Sequence, residues 1–203
     1  MAKRAKKKAT SNPGIPRKTK TLDSLSGSDA LAIIKILSDR SPKLAQEIDA
    51  IARELLSHVN MDEVAANVQM ELEFIDVEDV WDKSGATSRG YVDPGDAAWE
   101  RFEEALEPFQ KEMDKYKQLS MLREAEITCQ GILKGIYLFD KESSTEYKNW
   151  AIDAPGEYFG LILSNWKKLF PRQSGLSNMK AFLETHCPNW AEWAIKSIRS
   201  RWQ

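Results

Sequence analysis

The chain has 203 residues, with 29 basic and 31 acidic side chains, 42% apolar residues, two cysteines and two histidines. A chain of this size buries roughly 70% of its unfolded surface and needs no metal or disulfide to fold; two cysteines are too few for a disulfide framework. No apolar run approaches the roughly 20 residues that span a bilayer.

The formal net charge of −2 conceals a division. Residues 1–20 carry Lys3, Arg4, Lys6, Lys7, Lys8, Arg17, Lys18 and Lys20 and no acidic residue, whereas residues 21–203 hold 21 basic against 31 acidic side chains. The eight cations are the candidate nucleic-acid or polyanion-binding residues, because clustered Lys and Arg displace the counterions of a phosphate backbone. Residues 1–26 lack apolar periodicity and are expected to be disordered. No apolar stretch follows the basic start, so a secretory leader is not indicated and a soluble, cytoplasmic protein is expected. In a eukaryotic source the run Lys3–Lys8 would read as a nuclear signal.

A single helical domain is expected over residues 27–203, with a candidate subdivision near 141–153. Leu31, Ile33, Ile34, Ile36 and Leu37 predict a short helix buried on several sides. Ser41-Pro42 is an N-cap followed by proline in the first turn. The stripe Leu44, Ile48, Ile51, Leu55 then predicts an amphipathic helix to about Val59. Asn60 caps the next, whose stripe Met61, Val64, Val68, Leu72, Ile75 predicts one helix to about Trp81.

Residues 82–96 interrupt the pattern with Gly85, Gly90 and Gly95. Asp82, Lys83, Arg89 and Tyr91 make this loop a candidate partner surface, since long loops inside compact domains often carry function. The alternative is that Tyr91 and Val92 fold back while Asp93 only caps. Asp93-Pro94 opens a long helix with Ala98, Phe102, Ala105, Phe109, Met113 and Tyr116 on one face, and Pro108 is expected to kink it. Leu122, Ala125, Cys129, Ile132, Ile136 and Phe139 form the most regular stripe. Gly131 and Gly135, one turn apart beside it, predict a close approach of two backbones. Shorter helices follow near 155–170 and 176–185. A last one carries Ala191, Ile195, Ile198 and Trp202, with Lys196, Arg199 and Arg201 on another side. No strand is predicted. The fold class is all-α: seven to eight helices in antiparallel pairs, as a helical-repeat-like array or an irregular bundle.

Chemistry-bearing patterns are sparse. His58, Cys129, His186 and Cys187 lack the spacing of a zinc site. Glu54 and His58 miss the Glu-x-x-His spacing of di-iron bundles. An EF-hand register on Gly85 would place Val80 and Tyr91 where acids are required. Gly85 and Gly90 have a P-loop gap but are followed by Tyr91-Val92, without the Lys and Ser or Thr. No metal, cofactor or catalytic residue is expected.

From Val80 to Phe139 the chain runs from a glycine-containing loop, Gly90-Tyr91-Val92-Asp93, through a helix starting near Ala97-Ala98-Trp99, to an amphipathic helix containing Cys129. This order weakly resembles the all-helical region that accompanies SWIM zinc fingers in some prokaryotic proteins. The finger itself is absent from a chain with two cysteines. The resemblance implies a helical accessory or interaction domain and no catalytic residue. The functional expectation is a non-enzymatic helical interaction module with an unknown protein partner, its basic tail adding affinity for nucleic acid or another polyanion. The alternatives are an enzyme or enzyme subunit with a carboxylate and loop site, and a protein-only scaffold whose tail is a localisation signal.

Overall fold

The computed structural model describes residues 21–87, 90–169 and 175–200. Among them the regular secondary structure is helical apart from one small hairpin of strands. Contacts divide it between Leu56 and Ser57. The segment 141–153 lies within the second unit.

The described part of the first unit is a 3-10 turn, Leu22–Ser24, and two helices, α1 (Gly27–Arg40) and α2 (Pro42–Leu56). Ser26 and Asp29 form a capping box: the Ser26 hydroxyl accepts from the Asp29 amide, and the Asp29 carboxylate accepts from the Ser26 amide. The Ser26 hydroxyl also donates to the Asp29 carboxylate at 2.6 Å, and this bond first, then the one from the Ser26 amide, holds the Asp29 carboxyl below its ordinary pKa. Pro42 opens α2 as expected, since its missing N–H would be unpaired there anyway. The expectation that α1 is buried on several sides does not hold: neither helix of this hairpin buries a residue.

The second unit is built around α6 (Leu122–Glu142). Against it pack α3 (Met61–Glu73), α5 (Pro94–Gln118), α7 (Ala154–Leu169) and α8 (Leu176–His186), with α9 (Pro188–Ser200) laid on α7 and α8. Ala125, Cys129, Ile132, Ile136 and Phe139 are all buried, while Leu122 at the start of the same stripe is exposed. Two glycines let α3 and α6 approach closely. A Cβ on Gly131 would lie 2.6 Å from the Val64 Cβ and 2.9 Å from the Met61 carbonyl oxygen. On Gly135 it would lie 2.6 Å from the Val68 Cβ and 2.7 Å from the Ala65 carbonyl oxygen.

Two local features differ from expectation. The helix predicted over 61–81 is broken at Phe74–Asp76, and α4 (Val77–Lys83) starts anew. Asp76 accepts a bond from the Glu78 amide, and a short polar side chain that can bond its own backbone competes with helix continuation. The 82–96 loop contains two antiparallel strands, β1 (Gly85–Thr87) and β2 (Gly90–Val92), paired Gly85 to Val92 and Thr87 to Gly90. Gly85 (φ +89°) and Gly90 (φ +130°) adopt backbone that other residues avoid, and so admit the hairpin. The long helix expected from Asp93-Pro94 runs through Pro108 as one element, α5.

The α5–α6 turn is a Schellman motif. The Met121 amide reaches the Tyr116 carbonyl at 2.9 Å and the Ser120 amide the Lys117 carbonyl at 3.0 Å. Ser120, at φ +58°, occupies the left-handed position that glycine usually takes.

Candidate interaction surfaces

The eight cations Lys3, Arg4, Lys6, Lys7, Lys8, Arg17, Lys18 and Lys20 lie outside the described residues, as does Arg89. Around the β-hairpin the other proposed partner residues separate. Asp82 is exposed and Tyr91 is 73% exposed. Lys83 instead turns onto α5, with its ammonium 2.5 Å from Glu104 and 3.8 Å from Glu100. Arg101 adds a bond to Glu104 at 3.0 Å and an ion pair with Asp79 at 3.6 Å. These cations, the Lys83 hydrogen bond foremost, hold the Glu104 carboxyl below its ordinary pKa. Lys83 thus fastens α4 to α5. Val92 packs on the core while Asp93 caps α5 through the Gly95 amide at 2.8 Å.

The hairpin Gly27–Leu56 is the most apolar surface of the first unit. Leu31, Ile33, Ile34, Ile36, Leu37, Leu44, Ile51 and Leu55 remain between 37% and 71% exposed. Its charge is nearly balanced, with five acidic and four basic side chains over 27–56, whereas residues 57–203 hold 25 acidic and 17 basic.

In the second unit a cavity of about 700 Å³ opens where α5, the end of α6, the start of α7 and α9 meet. Trp99, Trp190 and Trp193 line it together with Asp140, Asp153 and Glu157. Aromatic packing fixes the indoles. Trp190 stands edge-on to Tyr137 at 5.4 Å and to Phe159 at 4.9 Å; Trp193 meets Phe159 at 5.6 Å. Trp99 lies 6.0 Å from Tyr158, whose hydroxyl donates to Glu103 at 3.1 Å. Burial pushes the Tyr158 phenol up to about 12. A high tryptophan count is visible in the sequence, but no spacing links carboxylates at 140, 153 and 157 to indoles at 99, 190 and 193. A second depression, about 780 Å³, between α8 and α9 mixes Lys180, Lys196 and Arg199 with Glu184 and Glu192. The proposed C-terminal cations Lys196 and Arg199 therefore sit among acids, and Arg201 and Trp202 lie outside the described residues.

The interior polar groups are structural in their surroundings. Cys129 and Cys187 are free and buried. Burial pushes both thiols up, Cys187 to about 12, and the nearby Glu126 carboxylate acts in the same direction on Cys129. Glu126 faces the Trp166 indole from α6, and desolvation raises its carboxyl above the ordinary value. Tyr147, in the 3-10 turn Glu146–Asn149, donates to the Ala98 carbonyl at 2.5 Å and so pins the start of α5. His186 lies against Phe182, its pKa lowered first by burial and then by Lys134, which bonds Asp62 at 2.8 Å. His58 is exposed in the α2–α3 connection. Among the described residues no three His, Cys, Asp or Glu side chains come together as a metal-binding group.

No protein-family model, curated protein or solved structure matches this chain. The functional reading therefore rests on the surfaces themselves.

Proposed function

We propose that the protein is a non-enzymatic helical interaction module. The hairpin Gly27–Leu56 associates with the same hairpin of a second chain, and residues 1–20 add electrostatic affinity for nucleic acid or another polyanion. The observation that carries this reading is a helical hairpin that buries none of its own residues yet displays eight large apolar side chains. Two helices share one seam and have no interior. Four helices enclose one, as in four-helix bundles. The helices match for this purpose, with 14 and 15 residues, each about 21–23 Å long at 1.5 Å per residue. Full burial of one Leu or Ile is worth about 1.5–3 kcal/mol, so even partial cover of eight is a substantial drive. The near-balanced charge of the hairpin sets little repulsion against self-contact, in contrast to the acidic residues 57–203.

The tail supplies the second contact. Its eight cations can neutralise phosphates, whereas the acidic body repels a polyanion. The likeness of Val80–Phe139 to helical regions that accompany SWIM zinc fingers is in keeping with an accessory role.

Hydrogen exchange tests the hairpin. Amides in helices without buried contacts open at little cost, and cover by a second chain grows with concentration. Exchange across residues 27–56 should slow markedly between about 1 µM and about 100 µM protein, while that of α6 stays constant. Exchange independent of concentration would overturn the self-association.

A further inference from the structure

We propose that the cavity formed by Trp99, Trp190, Trp193, Asp140, Asp153 and Glu157 is a binding site for a lysine side chain presented by a basic polypeptide. It uses residues of the second unit only, so it goes beyond the hairpin and the tail and stands or falls independently of them.

Three indoles and three carboxylates around one opening are complementary to a single kind of guest, an ammonium on an apolar stem. The indole faces attract a cation through their quadrupole, tryptophan most strongly. They also cover the methylenes of a lysine, which prefer apolar contact while the charged end stays near water. The carboxylates supply the opposite charge. Asp153 and Glu157 are exposed at the rim, whereas the Asp140 side chain is only 19% exposed.

Two of the lining residues already hold an ammonium. The Lys141 ammonium sits 5.3 Å above the Trp190 ring and 2.8 Å from the Asp140 carboxylate. A Trp190 face and an Asp140 oxygen thus hold an ammonium within this fold. Neither Asp153 nor Glu157 has an ion-pair partner among the ion pairs of the described residues, so two of the three carboxylates are left for an incoming charge.

The walls are also set in advance. Trp190 and Trp193 are braced by Phe159, and the Tyr137 hydroxyl, whose ring supports Trp190, donates to Asn189 at 3.2 Å. A guest therefore meets fixed indoles and orders few side chains on arrival. Gly156, in the first turn of α7, leaves room: a Cβ there would meet nothing within 4 Å. An alanine at this position would favour the helix, and the glycine keeps the opening clear instead.

The probe is a pentalysine peptide, titrated into the intact protein while the indole N–H signals are followed by two-dimensional NMR. The signals of Trp99, Trp190 and Trp193 should move together on one saturable curve, and those of Trp81 and Trp166 should not. The same peptide with its ε-amines acetylated should leave all of them in place. Gly156→Lys places a tethered ammonium in the opening and should weaken binding about tenfold or more, with the helical fold kept and melting no lower than in the intact protein. Asp153→Asn with Glu157→Gln, both exposed, should weaken it about five- to tenfold. Lys141→Gln removes the resident ammonium and should tighten it about two- to threefold. Shifts spread evenly over all indoles, or full affinity in the Gly156→Lys protein, would overturn the site. Spermidine binding as tightly as pentalysine would overturn the polypeptide as its guest.

Discussion

Replacing Gly135 with alanine sets two effects of opposite sign against each other. Alanine favours a helix over glycine by about 1 kcal/mol. The new methyl, however, would lie 2.6 Å from the Val68 Cβ and 2.7 Å from the Ala65 carbonyl oxygen. A backbone oxygen moves only with its helix, so relief requires α3 to be pushed away from α6. Overpacking of this kind costs about 1–3 kcal/mol, and a clash with main chain belongs at the upper end. The net expectation is a loss of about 2 kcal/mol. For a unit of this length that lowers Tm by about 4–8 °C. Gly156→Ala is the control, because its methyl meets nothing within 4 Å and only the helical preference remains. It should raise Tm by up to about 4 °C. Circular dichroism melts of the three proteins decide the matter. A Gly135→Ala protein that melts as high as Gly156→Ala would refute the close α3–α6 approach.

Ser120→Gly should stabilise the α5–α6 turn by about 1 kcal/mol, since a non-glycine residue in left-handed backbone costs about 1–2 kcal/mol; urea unfolding measures it, and a loss of stability would contradict the turn geometry. Glu126→Gln should stabilise the protein at neutral pH. Because the folded carboxyl titrates above its unfolded value of 4.5, wild type loses stability as pH rises through that interval, and the two proteins should converge at acid pH. A constant difference from pH 4 to 8 would show that Glu126 is not desolvated. Removing residues 1–20 should abolish binding to duplex DNA at low salt, while helicity and Tm stay the same; in the intact protein log K should fall steeply with log salt. Equal binding by both forms would place the contact in the folded body.

The sequence speaks most clearly where one residue type has one physical consequence. Asn60, Asp93 and Pro94 mark helix starts through caps, and the 3-4 stepping of Ala125 to Phe139 marks a buried face. The pair Gly131 and Gly135 marks a backbone contact before any partner helix is known. Failure came where context decides. Asp76 caps a new helix instead of riding along an old one, because local side-chain bonding competes with a moderate apolar stripe. The strands at 85–92 are three residues long, too short for alternation to register. In α1, apolarity on nearly all sides reads as burial, but periodicity reports only the demand for cover and never its source. The acid–tryptophan cavity was illegible for a different reason. Its six residues come from four separate segments, and only the packing of α5, α6, α7 and α9 unites them.

The claim that the hairpin Gly27–Leu56 is an association surface is tested most directly by light scattering over a range of concentrations. The comparison is between the intact protein and the Ile51→Glu, Leu55→Glu double variant. Both side chains are mostly exposed, at 58% and 71%, so the substitutions leave no cavity and should not change the fold of one chain. The account predicts that the mass of the intact protein rises from one chain toward two with concentration. The variant, with unchanged helicity, should stay at one. An intact protein of single-chain mass throughout, or a variant that pairs as readily as the intact protein, would contradict it.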